Sequence, residues 1–332
     1  PAACTMMGLS ALPSAHPLNM GMLGMHGNYA PNLKEQECDV LIAIGMRFSE
    51  RVTGRVDKYA CKAKVIHLDI DRSEIDKNVK TDVAVVADCK VSLPAITKQL
   101  EEKRHDEWIE SFAPLFDEEN KKVIQPAIHP VSGALLMGEV VHAVSQAVQG
   151  DAVMVNDVGQ NQMFSCRYFK YNRQRSIVTS GGLGTMGFGL PAAIGSVFGA
   201  PHRTVCLFTG DGGIQMSIQE LGTIMEQRIP VKVILLNNNY LGNVRQWQEL
   251  FWNKRYSFTR MLNPDYSAIC KGYGIHYDVL TDRKDLDAKI REMLNTEGPF
   301  LLECVVREED NIMPMVEPGK SIDEMILEPH LK

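Results

Sequence analysis

The stretch Cys206–Gly242, CLFTGDGGIQMSIQELGTIMEQRIPVKVILLNNNYLG, restricts the fold of this chain more than any other. An apolar, β-prone run at 204–208 ends in Gly210, Asp211, Gly212 and Gly213, and a second, at 231–236, ends in Asn237, Asn238 and Asn239. Between them, over 215–228, Ile218, Leu221, Ile224 and Met225 recur at helical spacing, which predicts a helix. Strand, helix and strand in that order read as a βαβ unit with parallel strands and a right-handed crossover. Both strands then end at one edge of the sheet, where open α/β sheets collect function. Asp211 and Asn238, 27 positions apart, are expected to meet there.

These turns suit a hard cation and a diphosphate. One carboxylate, one amide oxygen and a backbone carbonyl such as that of Tyr240 make half of the octahedral oxygen shell that Mg2+ prefers. Gly212 and Gly213 let backbone approach closely, and the NH groups that open the following helix attract an anion. Asp-Gly and Asn-Asn are ordinary turn dipeptides, and either alone reads as a turn. Together, each after a strand and with a helix between, they match the thiamine-diphosphate motif of GDG, helix, strand and NN. The chain resembles the catalytic subunits of the acetolactate synthase (acetohydroxyacid synthase) family, over the second half of their central domain and all of their diphosphate-binding domain.

At 332 residues, 45% hydrophobic and 23% charged, the chain is long enough for two α/β units of ordinary size. Each is expected to be a doubly wound parallel sheet: a partial Rossmann-like central domain over 1–122, and a diphosphate-binding domain with a C-terminal tail over 123–332. No apolar run approaches membrane-spanning length, and the net charge of -6 is not arranged in blocks, so neither a membrane nor a nucleic-acid role is indicated. Eight cysteines without CxxC spacing fit buried free thiols in a cytoplasmic protein. Residues 1–5 read as the end of a strand entering a loop, the expectation for a chain cut from a longer protein, and do not form a signal peptide.

In chain order, residues 6–37 show no strand or helix period before Tyr29 and read as an ordered, Met-rich loop. A buried strand is expected at 38–44 and two further strands at 64–70 and 83–86, with Arg47 and Arg51, Asp69 and Asp88 at their carboxyl ends on the same edge. Acidic groups at strand ends accept from ribose or adenine donors, and an Arg fork suits a diphosphate. Helical spacing covers 91–104 and 106–120, and two prolines at 123–130 break it at the domain boundary. A helix is expected over 131–149 with Ser132 as cap, then a strand at 152–156 leading into Asp157, Gly159, Gln160 and Asn161. Gly159 gives backbone access there, and Gln160 and Asn161 supply neutral donors suited to phosphate oxygens. A glycine-rich run at 180–189 offers bare backbone to a flat apolar ligand.

The resemblance implies further roles. It places thiamine diphosphate against Gly159, Gln160, Asn161, Asp211, Gly212 and Gly213, with the Gly184 carbonyl accepting from the aminopyrimidine and Met186 wedged beneath the cofactor. Mg2+ falls to Asp211, Asn238 and the Tyr240 carbonyl. GMHG at 24–27 matches a segment lying along flavin adenine dinucleotide (FAD), which assigns FAD to His26, Arg47, Arg51, Asp69 and Asp88. RFSER at 47–51 looks like the RFDDR signature of the flavin-containing biosynthetic members, with Ser49 and Glu50 in place of the aspartates. Trp247 aligns with a tryptophan that favours 2-ketobutyrate over pyruvate as second substrate; Asn161 and Asn243 stand where many members have His and Met. The tail over 311–327 is expected to form a lid over the site or simply to pack against the protein.

The family decarboxylates pyruvate and joins the two-carbon unit to pyruvate or 2-ketobutyrate, a transferase step in branched-chain amino acid biosynthesis. It implies a homodimer or tetramer and a small regulatory subunit. Its activating Glu lies in an N-terminal domain that these residues lack, so no catalytic acid or base is assigned and this chain alone is expected to be inactive. Two other readings remain open: another thiamine-diphosphate decarboxylase or carboligase acting on a 2-oxo acid, and a nucleotide-binding regulatory module without chemistry.

Overall fold

A computed structural model describes residues 1–328, which fold into two units of mixed α/β structure with parallel sheets. The first comprises residues 1–6, 17–123 and 313–328, and the second 7–16 and 124–312.

In the first unit β1 (Ala2–Cys4) pairs in parallel with β2 (Asn19–Met22), and α1 (Tyr29–Glu35) follows. The strand β2 lies where the sequence predicts only loop. Its four residues carry no β-branched signal, and the ladder to β1 together with burial of Met20 and Met22 sets its conformation. The expected strands follow as β3 (Val40–Ile44), β4 (Lys64–Asp69) and β5 (Val83–Val86), a parallel sheet in that order, with α2 (Glu50–Thr53) between the first two. Beyond them come α3 (Cys89–Thr97), α4 (Asp106–Glu110) and α5 (Ala113–Glu119), shorter than the two long helices predicted. A π turn over 120–124 leads into α6 (Gln125–Ile128), so the chain stays helical where prolines were expected to break it. Pro126 sits in the first turn of α6, where its missing NH costs nothing.

The helix α6 already belongs to the second unit, and α7 (Met137–Ala147) follows it there, later than the predicted start near Ser132. Leu135 bridges in parallel to Val306, which commits its backbone to the sheet, and the Leu136 NH donates to Glu139 Oε1 at 2.6 Å. There follow β6 (Val153–Asn156), α8 (Gln160–Tyr168), β7 (Ile177–Val178), α9 (Gly189–Gly199) and β8 (Val205–Gly210). After β8 the single predicted helix is two. The helix α10 (Asp211–Met216) starts directly off the strand, Ser217 at φ −135° breaks it, and α11 (Leu221–Gln227) resumes after a short 3-10 turn. The unit closes with β9 (Lys232–Asn237), α12 (Gly242–Phe251), α13 (Tyr266–Gly272), β10 (His276–Leu280), α14 (Leu286–Asn295) and β11 (Phe300–Val305).

Six parallel strands run in the order β10-β11-β9-β8-β6-β7. Val155, Leu207 and Leu235, from β6, β8 and β9, are fully buried in the core between sheet and helices. From β6 the chain moves first to β7 on one side and then to β8 on the other. The order therefore reverses between β6 and β8, and their carboxyl ends flank the crevice where such sheets bind ligands.

The C-terminal segment differs from expectation. Residues 313–328 belong to the first unit, where Met315–Val316 pairs antiparallel with Met325–Ile326. Val316 donates its NH to the Met25 carbonyl at 3.0 Å, and Val316 and Ile322 pack with Ala43, Phe48 and Tyr59. Burial of these apolar side chains holds the segment as core of that unit, the packing that the sequence reading set beside a lid, whereas the expected division places the tail in the second domain.

Candidate functional site

The carboxyl ends of β6, β8 and β9 deliver the three turns singled out in the sequence to one cavity of about 110 Å³. Gly159, Gln160 and Asn161 line it from the turn after β6, Asp211, Gly212 and Gly213 from the first turn of α10, and Asn238 and Tyr240 from the turn after β9. Met186 lines it from the glycine-rich loop. Two predicted residues stand apart. Gly184 is exposed at φ +65° and does not line the cavity. Trp247 is half-buried on α12, edge-on to Phe251 at 5.4 Å, and the α12 residues on the cavity are instead Asn243 and Val244.

Asp211 is 1% exposed. Burial pushes its carboxyl up to about 6, while hydrogen bonds from Asn263 and from backbone NH groups pull the other way. Its Oδ1 accepts from the Gly212 NH at 3.1 Å and its Oδ2 from Asn263 Nδ2 at 3.0 Å. Asn238 is equally buried; its Oδ1 accepts from the Tyr240 NH at 3.3 Å, and its amide group donates to Gln160 Oε1 at 3.4 Å. A buried carboxylate beside neutral oxygens is a donor set for a hard cation. Among the described residues no three His, Cys, Asp or Glu side chains cluster, so a cation here would be held by Asp211 with neutral oxygens.

The floor of the cavity is bare backbone. A Cβ on Gly212 would come within 2.7 Å of Leu241 Cδ2 and 3.3 Å of Met186 Cε, and a Cβ on Gly242 would collide with Gln160 Oε1. Glycine at these positions lets Leu241, Met186 and Gln160 pack directly on backbone, and the cavity they enclose presents Asp211, Asn238 and the opening turn of α10, a lining that fits the cation and diphosphate of thiamine diphosphate. The donors assigned to phosphate have partners within the protein. Gln160 Nε2 donates to Gln246 Oε1 and to the Asp310 carbonyl, both at 2.8 Å, and Asn161 Nδ2 donates to the Asp157 carbonyl at 2.8 Å. Asn161 Oδ1 instead lies toward Gly159 and Gly210.

Three residues that hold this geometry escaped the sequence reading. Asp157, fully buried, receives the NH groups of Val158 at 2.7 Å, Gly187 at 2.9 Å and Gly189 at 2.9 Å, tying the end of β6 to the glycine-rich loop. Its place at the end of an apolar strand was the available signal. Asn263 lies 52 positions beyond Asp211 in an irregular stretch with no motif to flag it. Gln246, buried on α12, accepts from the Ile312 NH at 2.9 Å as well as from Gln160, and beside it Arg245 pairs with Glu249 at 2.5 Å.

In the first unit the predicted nucleotide residues lie at or near the carboxyl ends of β3, β4 and β5. Arg47 and Arg51 are exposed, and Arg51 lies 3.8 Å from Glu50. Asp69, buried at the end of β4, accepts from the Asp71 NH at 2.9 Å, and Asp88 caps α3 by accepting from the Lys90 NH at 2.8 Å. His26 is buried, with Nδ1 3.2 Å from the Pro314 carbonyl.

Residues 157–304 match the family described as thiamine pyrophosphate enzyme, C-terminal TPP binding domain, and residues 1–96 match thiamine pyrophosphate enzyme, central domain. The chain is 41% identical over 327 residues to acetolactate synthase isozyme 2 large subunit of Escherichia coli (strain K12), covering 98% of this chain and 58% of that protein. It is 39% identical to the acetolactate synthase large subunit of Lactococcus lactis subsp. lactis (strain IL1403), covering 98% and 56%. It is 37% identical to acetolactate synthase 1, chloroplastic, of Nicotiana tabacum, covering 99% and 50%. The chain thus spans about half the length of the curated relatives it matches.

Proposed function

Because this chain belongs to the thiamine pyrophosphate enzymes and is homologous to acetolactate synthase large subunits, we propose that it is the cofactor-binding part of such a catalytic subunit. The proposed reaction decarboxylates pyruvate and joins the two-carbon unit to pyruvate or 2-ketobutyrate. The observation that carries the reading is the convergence of Asp211 and Asn238 on one cavity at the switch point of a parallel sheet. Asp211, Asn238 and the Tyr240 carbonyl would hold Mg2+, and the opening turn of α10 would face the diphosphate.

When bound, thiamine diphosphate supplies a nucleophilic carbon and an electron sink for decarboxylation. The residues of this chain position it and exclude water. Met186 and Leu241 wall the cavity with apolar surface beside Gly212, and Asp157 fixes the loop that carries Met186. A low-dielectric wall strengthens the electrostatic contacts made at the reacting atoms. No residue of the chain is assigned as acid or base.

FAD is part of the proposal, supported by Arg47 and Arg51 exposed beyond β3 and by Asp69 and Asp88 at neighbouring strand ends. So are self-association and a small regulatory partner, supported by the large-subunit names of the relatives. A cytoplasmic location fits eight free cysteines. Among the described residues no helix is long and apolar enough to cross a membrane.

The test uses the full-length protein with pyruvate, Mg2+ and thiamine diphosphate. Acetolactate as product supports the reading; acetaldehyde alone would favour a decarboxylase, and no consumption of pyruvate a module without chemistry. Calorimetry of Asp211→Ala adds a binding readout, with cofactor retention expected to be abolished.

A further inference from the structure

Residues 259–266 form a strap across the turn after β9. The Leu241 NH donates to the Thr259 carbonyl at 2.7 Å and the Met261 NH to the Asn239 carbonyl at 2.9 Å, flanking an antiparallel bridge between Tyr240 and Arg260. The Arg260 guanidinium lies over the Tyr240 ring, 5.8 Å from its centre. The strap continues into Asn263, whose Nδ2 lies 3.0 Å from Asp211 Oδ2, 2.9 Å from Asn237 Oδ1 and 3.2 Å from Asn239 Oδ1. Asn263 Oδ1 in turn accepts from Gln215 Nε2 at 3.1 Å, and that same nitrogen reaches the Asp211 carbonyl at 2.9 Å.

We infer that Asn263 is a positioning residue for the cation site, locking the Asp211 carboxylate to the Asn237–Tyr240 turn; the inference rests on the cofactor reading above. The physical argument is one of orientation. Asp211 and Asn238 sit on different strand ends, and β8 and β9 share no ladder beyond Gly210 and Leu236. The turn from Asn237 onward therefore needs another tether to keep its oxygens at a fixed distance from Asp211. The Asn263 amide provides it: two hydrogens face three oxygens, one on Asp211 and two on the turn. With Oδ2 held by Asn263, the carboxylate plane is fixed before any ligand arrives. Loss of an outer group that orients a metal-binding carboxylate typically costs roughly 10- to 100-fold in metal affinity.

The experiment uses the full-length protein with Mn2+ in place of Mg2+, at saturating thiamine diphosphate, and reads bound Mn2+ by electron paramagnetic resonance. Asn263→Ala is expected to weaken Mn2+ binding by roughly 10- to 100-fold. Its metal-free unfolding midpoint should stay close to that of the parent protein, and turnover should recover as Mn2+ is raised, as expected for a group acting through the metal site. Asn263→Leu keeps the bulk and removes the donor without adding charge; it should weaken binding to a similar extent, and it is the variant to read if Asn263→Ala does not fold. Asp211→Ala is the control. Mn2+ affinity unchanged in both Asn263 variants but lost in Asp211→Ala would overturn the positioning role alone, whereas affinity retained in Asp211→Ala would overturn the cation site itself.

Discussion

Asp157 Oδ2 accepts the Gly189 NH at 2.9 Å, joining the end of β6 to the start of α9 across 32 positions. The other oxygen accepts from Gly187 and Val158, so one carboxylate serves three backbone donors. An amide in its place offers a single oxygen and turns an NH2 toward an NH. Asp157→Asn is therefore expected to lose about 1–3 kcal/mol of stability, the cost of leaving a buried donor unmatched. Urea unfolding measures this, and a loss smaller than about 0.5 kcal/mol, the scatter of ordinary surface substitutions, would show that the loop does not depend on Asp157.

Adjacent glycines of α10 should respond differently to alanine. At Gly213 a Cβ would lie 2.7 Å from Asp157 Oδ1 and 2.8 Å from its Cγ, atoms that three hydrogen bonds hold in place. At Gly212 the nearest atoms are the flexible ends of Leu241, Met261 and Met186. Gly213→Ala should cost about 1–3 kcal/mol through overpacking, with Gly212→Ala milder because its neighbours can swing aside. Thermal denaturation of the cofactor-free variants compares them; equal loss would contradict the difference in rigidity.

The first unit carries a pH dependence of its own. Glu35 is buried at 7% exposure, and burial pushes its carboxyl up to about 8, while a hydrogen bond from the Tyr59 hydroxyl works in the opposite direction. The folded state thus holds a proton that the unfolded chain has already released above its ordinary carboxylate range. Stability should be highest below that range and fall as pH rises to about 8, by about 2–4 kcal/mol in all. Glu35→Gln, neutral at every pH, should flatten the profile between pH 5 and 9 in denaturant titrations at stepped pH. A parent profile already flat there would refute the buried acid.

Trp247 tests the specificity carried by the resemblance. It lies one turn beyond Asn243 and Val244, which line the cavity, and packs edge-on against Phe251. If its bulk shapes the acceptor pocket, Trp247→Leu should reduce the preference for 2-ketobutyrate by about 1 kcal/mol, within the range for one methylene. Competition between the two oxo acids in the full-length enzyme reads the product ratio directly. An unchanged ratio assigns Trp247 to packing alone.

Much of the site was legible because it is built from strand ends. Apolar runs at β8 and β9 announce a buried parallel sheet, and in such a sheet the residues after each run must meet at one edge, so Asp211 and Asn238 could be placed together without coordinates. The place of Gly159 to Asn161 after the strand at 152–156 did the same for them, and the family resemblance did it for Met186. The strand β2, the split between α10 and α11 and the place of residues 313–328 were not legible. Each depends on a partner distant in sequence or on a single dihedral: the ladder to β1, Ser217, and the packing of Val316 and Ile322 on Phe48.

The residue types and their order along the chain determined which chemistry this edge can carry, a carboxylate and neutral oxygens above bare glycine backbone. Tertiary structure alone decided how that chemistry is held still. Asn263, Asp157 and Gln246 act through hydrogen bonds that link turns as many as 86 positions apart. A directional bond of about 3 Å between distant turns leaves no periodicity in the sequence, because its geometry exists only once both backbones are packed.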